Sequence, residues 1–96
     1  MKKTFMCGEV TERIKEIKDE SVDLVVTDPP YNIGWKYAKG IHGVVDDRRE
    51  DYDTWVAEWV EECFRVLKPE GSLYIIAYHE VLSDNYWKPC MKHGHF

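Results

Sequence analysis

The sequence predicts an α/β fold of about three mostly parallel strands with flanking helices. Three observations carry that expectation. Hydrophobic periodicity alternates strand, helix, strand, helix, strand along the 96 residues, the pattern of a parallel α/β sheet. Val22-Asp23-Leu24-Val25-Val26-Thr27 is a near-continuous apolar, β-branched run, which suits a strand buried on both faces. Residues 52 to 67 carry a strong amphipathic helical period.

Taken in order, Thr4 to Cys7 reads as a short strand closed by Gly8. From Val10 to Lys18 the apolar positions Val10, Ile14 and Ile17 recur at helical spacing, with Glu and Lys between them. Ser21 then turns the chain into the Val22–Thr27 strand. Residues 28 to about 50 hold two prolines, three glycines and a charged patch without a sustained period, and so read as one long loop. Loops of that length in compact domains are usually functional or disordered. In the helix that follows, Trp55, Trp59 and Cys63 form one i, i+4 row with Val56, Val60, Phe64 and Leu67 beside it, a period that marks them as core. Lys68-Pro69-Glu70-Gly71 ends the helix with a breaker and a turn. Ser72 to Ala77 is the next buried strand. A shorter helical stretch, with Val81, Leu82 and Tyr86 inward, precedes Pro89.

Composition places the chain among globular proteins, with 44% hydrophobic, 14% aromatic and 32% charged residues. The length allows one domain at most, spanning 1–96. The net charge of −5 argues against a stand-alone nucleic-acid-binding module, because such modules draw most of their affinity from basic residues on phosphate. Three cysteines, Cys7, Cys63 and Cys90, are widely spaced with no CxxC pair, which fits reduced thiols in a cytoplasmic protein. No apolar run approaches membrane-spanning length.

The chemistry points to Asp28-Pro29-Pro30-Tyr31. In a doubly wound sheet ligands sit just beyond the carboxyl ends of the strands, and this tetrapeptide follows the Val22–Thr27 strand directly. An exocyclic amino group on a base is a poor nucleophile because its lone pair is delocalised into the ring. Two acceptors placed on its N–H bonds draw the nitrogen toward tetrahedral geometry and localise that pair. The Asp28 carboxylate and the Pro29 carbonyl are candidates for those acceptors. Consecutive prolines fix φ and remove backbone donors, so Pro30 stiffens the loop. Tyr31 offers a flat face for a base taken out of its stack, a contact worth about 1–3 kcal/mol.

Val22 to Gly34 (VDLVVTDPPYNIG) resembles the catalytic motif of DNA adenine-N6 and cytosine-N4 methyltransferases. The similarity extends to the acidic linker, to the Trp-rich helix running into Glu62-Cys63-Phe64-Arg65-Val66-Leu67-Lys68-Pro69-Glu70-Gly71, and to the strand at Ser72. Phe5 to Glu9 resembles the short strand such enzymes place ahead of the catalytic one; theirs normally ends in Gly-Asp, here Gly8-Glu9. The resemblance implies a partial Rossmann-like S-adenosylmethionine-dependent methyltransferase fold and methyl transfer to a base amino group. Adenine N6 is the expected target, given Asp in first position, with cytosine N4 as the alternative. It implies a pocket of Tyr31, Asn32, Ile33, Gly34 and Trp35 around the base, and cofactor contacts from Glu9 and Asp28. DNA is the implied partner.

The Gly-rich turn of the kind Phe-x-Gly-x-Gly, through which this family holds S-adenosylmethionine, does not occur in the sequence. Chain order therefore matches the N-terminal part of a permuted family member. Without the cofactor strand beside it, the Val22–Thr27 strand would have an open apolar edge. Self-association or a complementary methyltransferase chain is the expectation that follows. Three readings stay open: half of a split enzyme, an inactive relic, or a base-binding module.

Other features have simpler explanations. Trp35 and Tyr37 lie on the loop without periodic reason, and serve either the base or loop anchoring. Cys90, His93 and His95 fit no standard zinc spacing, so no metal is expected. The acidic run Asp46, Asp47, Glu50, Asp51 and Asp53 is expected to solvate the loop and cap the following helix, with a Mg²⁺ site as the alternative.

Overall fold

The computed structural model describes residues 3–30, 32, 36–38, 44–46 and 49–93. It is a mixed α/β structure built around one β-α-β unit. A short helix α1 (Val10–Arg13) continues into a 3₁₀ turn (Ile14–Glu16), then β1 (Val22–Thr27), β2 (Lys36–Ala38), β3 (Val44–Asp46), α2 (Tyr52–Val66) and β4 (Leu67–Ile75). The chain goes on through α3 (His79–Val81), a π turn (Leu82–Tyr86) and α4 (Trp87–His93). None of the helices among the described residues is long and apolar enough to cross a membrane.

Strands β1 and β4 pair in parallel, with Leu24 opposite Ser72, Val25 opposite Leu73, Val26 opposite Tyr74 and Thr27 opposite Ile75. Parallel neighbours need a crossover, which α2 supplies. The pairing also puts Val22 opposite Leu67, so Asp23 alone faces residues 68–71. Lys68 Nζ reaches Asp23 Oδ1 at 3.0 Å across that bulge. Lys68–Gly71, expected as a turn, is thus the bulged start of β4: α2 stops at Val66 and the chain turns extended at Leu67.

The inward face of α2 is the core. Tyr52, Trp55, Val56, Trp59, Val60, Cys63 and Val66 are all buried, joined by Ile14, Val81, Tyr86 and Cys90. Their spacing is the helical row that the sequence predicts, although Phe64 is only half-buried. The Trp59 indole N–H has no hydrogen-bond partner among the described residues. Arg65 ties the N-terminal segment to this helix. Its guanidinium donates to the carbonyls of Ile14 and Ile17 and to Asp19 at 2.6–2.9 Å.

Several expectations are corrected. Thr4 to Cys7 forms no strand, and Phe5 is 91% exposed, so the parallel sheet of the described residues has two strands, not three. The Val10–Lys18 helix is one α-turn and a 3₁₀ turn, with Val10 exposed. Neither β1 nor β4 is buried on both faces: Val22, Val25, Leu73 and Ile75 pack on the core, whereas Leu24, Val26, Tyr74 and Ile76 are exposed. The described helices cover only one face of the sheet, which leaves the alternate side chains bare. The 28–50 loop contains an antiparallel pair, β2 with β3, Tyr37 opposite Val45. The helical stretch also runs on through Pro89, which is in α4.

Candidate functional site

Asp28-Pro29-Pro30 leaves β1 at its carboxyl end. Asp28 is exposed, Pro29 buried and Pro30 half-buried. The prolines have no N–H, so Pro29 and Pro30 can make main-chain hydrogen bonds only through their carbonyls. The Pro30 carbonyl accepts a hydrogen bond from the Tyr52 hydroxyl at 2.7 Å, and the Tyr86 hydroxyl lies 3.0 Å from that of Tyr52. Tyr52 and Tyr86 are 3% and 1% exposed, so the pair is sealed between the loop and the core.

Asn32 takes up a left-handed backbone, φ 60°, a conformation Asn tolerates better than most residues. Its Oδ1 accepts the Arg49 backbone N–H at 2.6 Å. Arg49 in turn lies over the Trp55 ring, its guanidinium carbon 4.7 Å from the centroid, and forms a two-pronged pair with Asp51 at 2.7 and 3.1 Å. That pairing holds the Asp51 carboxyl below its usual range. Trp55 then donates its indole N–H to Glu9 Oε1 at 2.9 Å.

The N-terminal end of α2 therefore gathers Pro30 and Asn32 from the loop after β1 and Glu9 from the N-terminal segment. Tyr31, Ile33, Gly34 and Trp35 lie outside the described residues. Asp51 stands at the N-cap of α2 and its carbonyl accepts the Trp55 N–H at 2.9 Å, but its side chain makes no capping hydrogen bond; its carboxylate is engaged by Arg49 instead. Asp53, in the first turn, accepts a hydrogen bond from Asn85 of the π turn. Among the described residues no three His, Cys, Asp or Glu side chains come together as a metal-holding group.

Tyr52, Tyr86, Arg49 and the polar edge of Trp55 are the contributors that sequence reasoning missed. Tyr52 and Tyr86 have apolar neighbours at helical spacing and look like core; only the placement of Pro30 shows what their hydroxyls do. A concavity of about 900 Å³ lies elsewhere, between β4 and α4, lined by Phe64, Leu73, Ile75, Tyr86, Cys90 and His93 among others. It contains no residue of the Asp28–Asn32 segment, so its size does not make it the reactive centre. Burial, together with nearby Cys90, pushes the Cys63 thiol up to about 11, and burial raises Cys90 as well. Neither thiol is primed as a nucleophile.

Residues 22–93 match the family model described as DNA methylase. The chain belongs to that family. Among curated DNA methylases it is 40% identical over 77 residues to the Type II methyltransferase M.HpaI of Haemophilus parainfluenzae, covering 78% of this chain and 23% of that protein. It is 44% identical over 75 residues to the DNA adenine methyltransferase YhdJ of Escherichia coli (strain K12), covering 77% and 24%. The Type II methyltransferase M.BamHI of Bacillus amyloliquefaciens is 41% identical over 70 residues, covering 71% and 16%. The chain thus spans about a quarter or less of the length of the DNA methylases it matches.

Proposed function

We propose that this chain carries the catalytic loop of a DNA amino-methyltransferase, with S-adenosylmethionine as methyl donor and adenine N6 as the acceptor. The observation that carries the reading is the intact Asp28-Pro29-Pro30-Tyr31 at the carboxyl end of a strand in a DNA methylase chain. The β1–α2–β4 unit would be part of a Rossmann-like sheet, and 1–96 part of one catalytic domain. Likeness to a protein named as a DNA adenine methyltransferase favours adenine over cytosine N4.

Asp28 would accept one N–H of the target amino group and stabilise the positive charge that grows on nitrogen. The Pro29 carbonyl would accept the other. The engagement of the Pro30 carbonyl by Tyr52 supports Pro29 rather than Pro30 in that role. Tyr31 would stack on the base, and Asn32, Ile33, Gly34 and Trp35 would form the pocket wall. S-adenosylmethionine, when bound, supplies an electrophilic sulfonium methyl. Glu9 fits such a cofactor, since its exposed carboxylate is oriented by Trp55 and suits hydroxyl or ammonium donors. Asp28 would be a second contact.

The bare face formed by Leu24, Val26, Tyr74 and Ile76 supports association with a second copy or a complementary methyltransferase chain. The base choice is tested by incubating the protein with unmodified DNA and S-adenosylmethionine and hydrolysing the product to nucleosides for mass spectrometry. N6-methyladenine is the expected product; N4-methylcytosine would move the target, and neither would refute the reading.

A further inference from the structure

We infer that Tyr52 is a positioning residue for the catalytic loop and that Tyr86 acts through it by orienting its hydroxyl. This rests on the functional reading above. The direction of the chain follows from donor counting. A carbonyl only accepts, so the single Tyr52 proton goes to Pro30, 2.7 Å away. With that proton committed to Pro30, the 3.0 Å contact between the two phenols fits Tyr86 as donor. Each bond in such a series polarises the next, and burial strengthens both.

The geometry aims this pair at the motif. Positions 29 and 30 offer no backbone donor, so a carbonyl bond is the only main-chain attachment open to them. Two residues on, Asn32 is held by the Arg49 N–H at 2.6 Å. Pro30 and Asn32 are therefore clamped on either side of position 31, and both clamps come from residues 49 and 52. Tyr86 ends a π turn, Leu82–Tyr86, a rare widening of a helix that is frequent at functional sites. Asn85, in the same turn, bonds Asp53 in the first turn of α2. Two neighbouring cross-links thus fix the π turn against the residue that holds the loop.

The test compares wild type, Tyr52→Phe, Tyr86→Phe and the double variant, each labelled with carbonyl-¹³C proline. Phenylalanine keeps the buried ring, and circular dichroism checks that the fold is retained. In Tyr52→Phe the Pro30 carbonyl signal moves upfield. Methyl transfer slows about tenfold, the scale of one lost hydrogen bond, with KM for DNA unchanged. Tyr86→Phe shows a smaller loss, and the double variant loses less than the sum of the two single losses, because the two hydroxyls are coupled through their shared contact. An unmoved carbonyl signal, an unchanged transfer rate in Tyr52→Phe, or additive losses in the double variant would overturn the inference. Failure of the functional reading has a different signature: wild-type protein that transfers no methyl group although Tyr52→Phe still moves the Pro30 signal. That result overturns both.

Discussion

The indole N–H of Trp55 donates to Glu9 Oε1 at 2.9 Å, joining two residues 46 positions apart. The contact gives a helix that looks purely structural in sequence a polar edge at the candidate site. It also sets the direction of the carboxylate that a cofactor would meet.

Trp55→Phe removes the N–H and part of the buried area and leaves a smaller, less electron-rich ring under Arg49. Because the lost hydrogen bond goes to a charged acceptor, we expect a destabilisation of about 2 kcal/mol, read by urea denaturation. Cofactor affinity should fall with it, whereas Trp59→Phe, whose indole N–H has no partner among the described residues, should leave that affinity unchanged.

Gly71 has no room for a side chain. A Cβ there would lie 2.9 Å from Leu67 Cδ2, 3.1 Å from the Lys68 carbonyl and 3.2 Å from the Asp23 carbonyl. Two of these neighbours are backbone and cannot swing aside. Gly71→Ala is expected to cost about 1–3 kcal/mol through overpacking of the bulge, again by urea denaturation.

Cys63 links stability to alkaline pH. Its folded-state pKa is raised from 9.0 to about 11, mainly by burial, so the folded protein holds this proton more tightly than the unfolded chain. The contribution is complete below pH 9 and is lost as pH rises toward 11. We expect a decline of about 2 kcal/mol over that window, reduced in Cys63→Ala to what the buried Cys90 thiol contributes. At pH 8 a thiol reagent should modify the exposed Cys7 well before Cys63 or Cys90.

What was legible in the sequence follows from how local each signal is. The i, i+4 row of Trp55, Trp59 and Cys63 marks the inward face of α2, because one helix turn repeats the same environment. The β-branched run locates β1, and the motif after it is fixed by chain continuity. The bond from Tyr52 to Pro30 is not legible, since a hydroxyl gives no sign of a partner 22 residues away. Thr4 to Cys7 has strand-like residues but no ladder partner among the described residues, and propensity yields when pairing is missing. The β1 face bearing Leu24 and Val26 reads as buried because composition reports what a side chain prefers and not what covers it.

The proposed role of Asp28 is tested by methyl transfer from tritiated S-adenosylmethionine to unmodified DNA, comparing wild type with Asp28→Asn. Asparagine keeps the shape but removes the charge that would stabilise the developing ammonium. Wild type is expected to label DNA, and Asp28→Asn to lower the rate about 10²–10³-fold. Equal rates for the two proteins, or no label with wild type, would contradict that role.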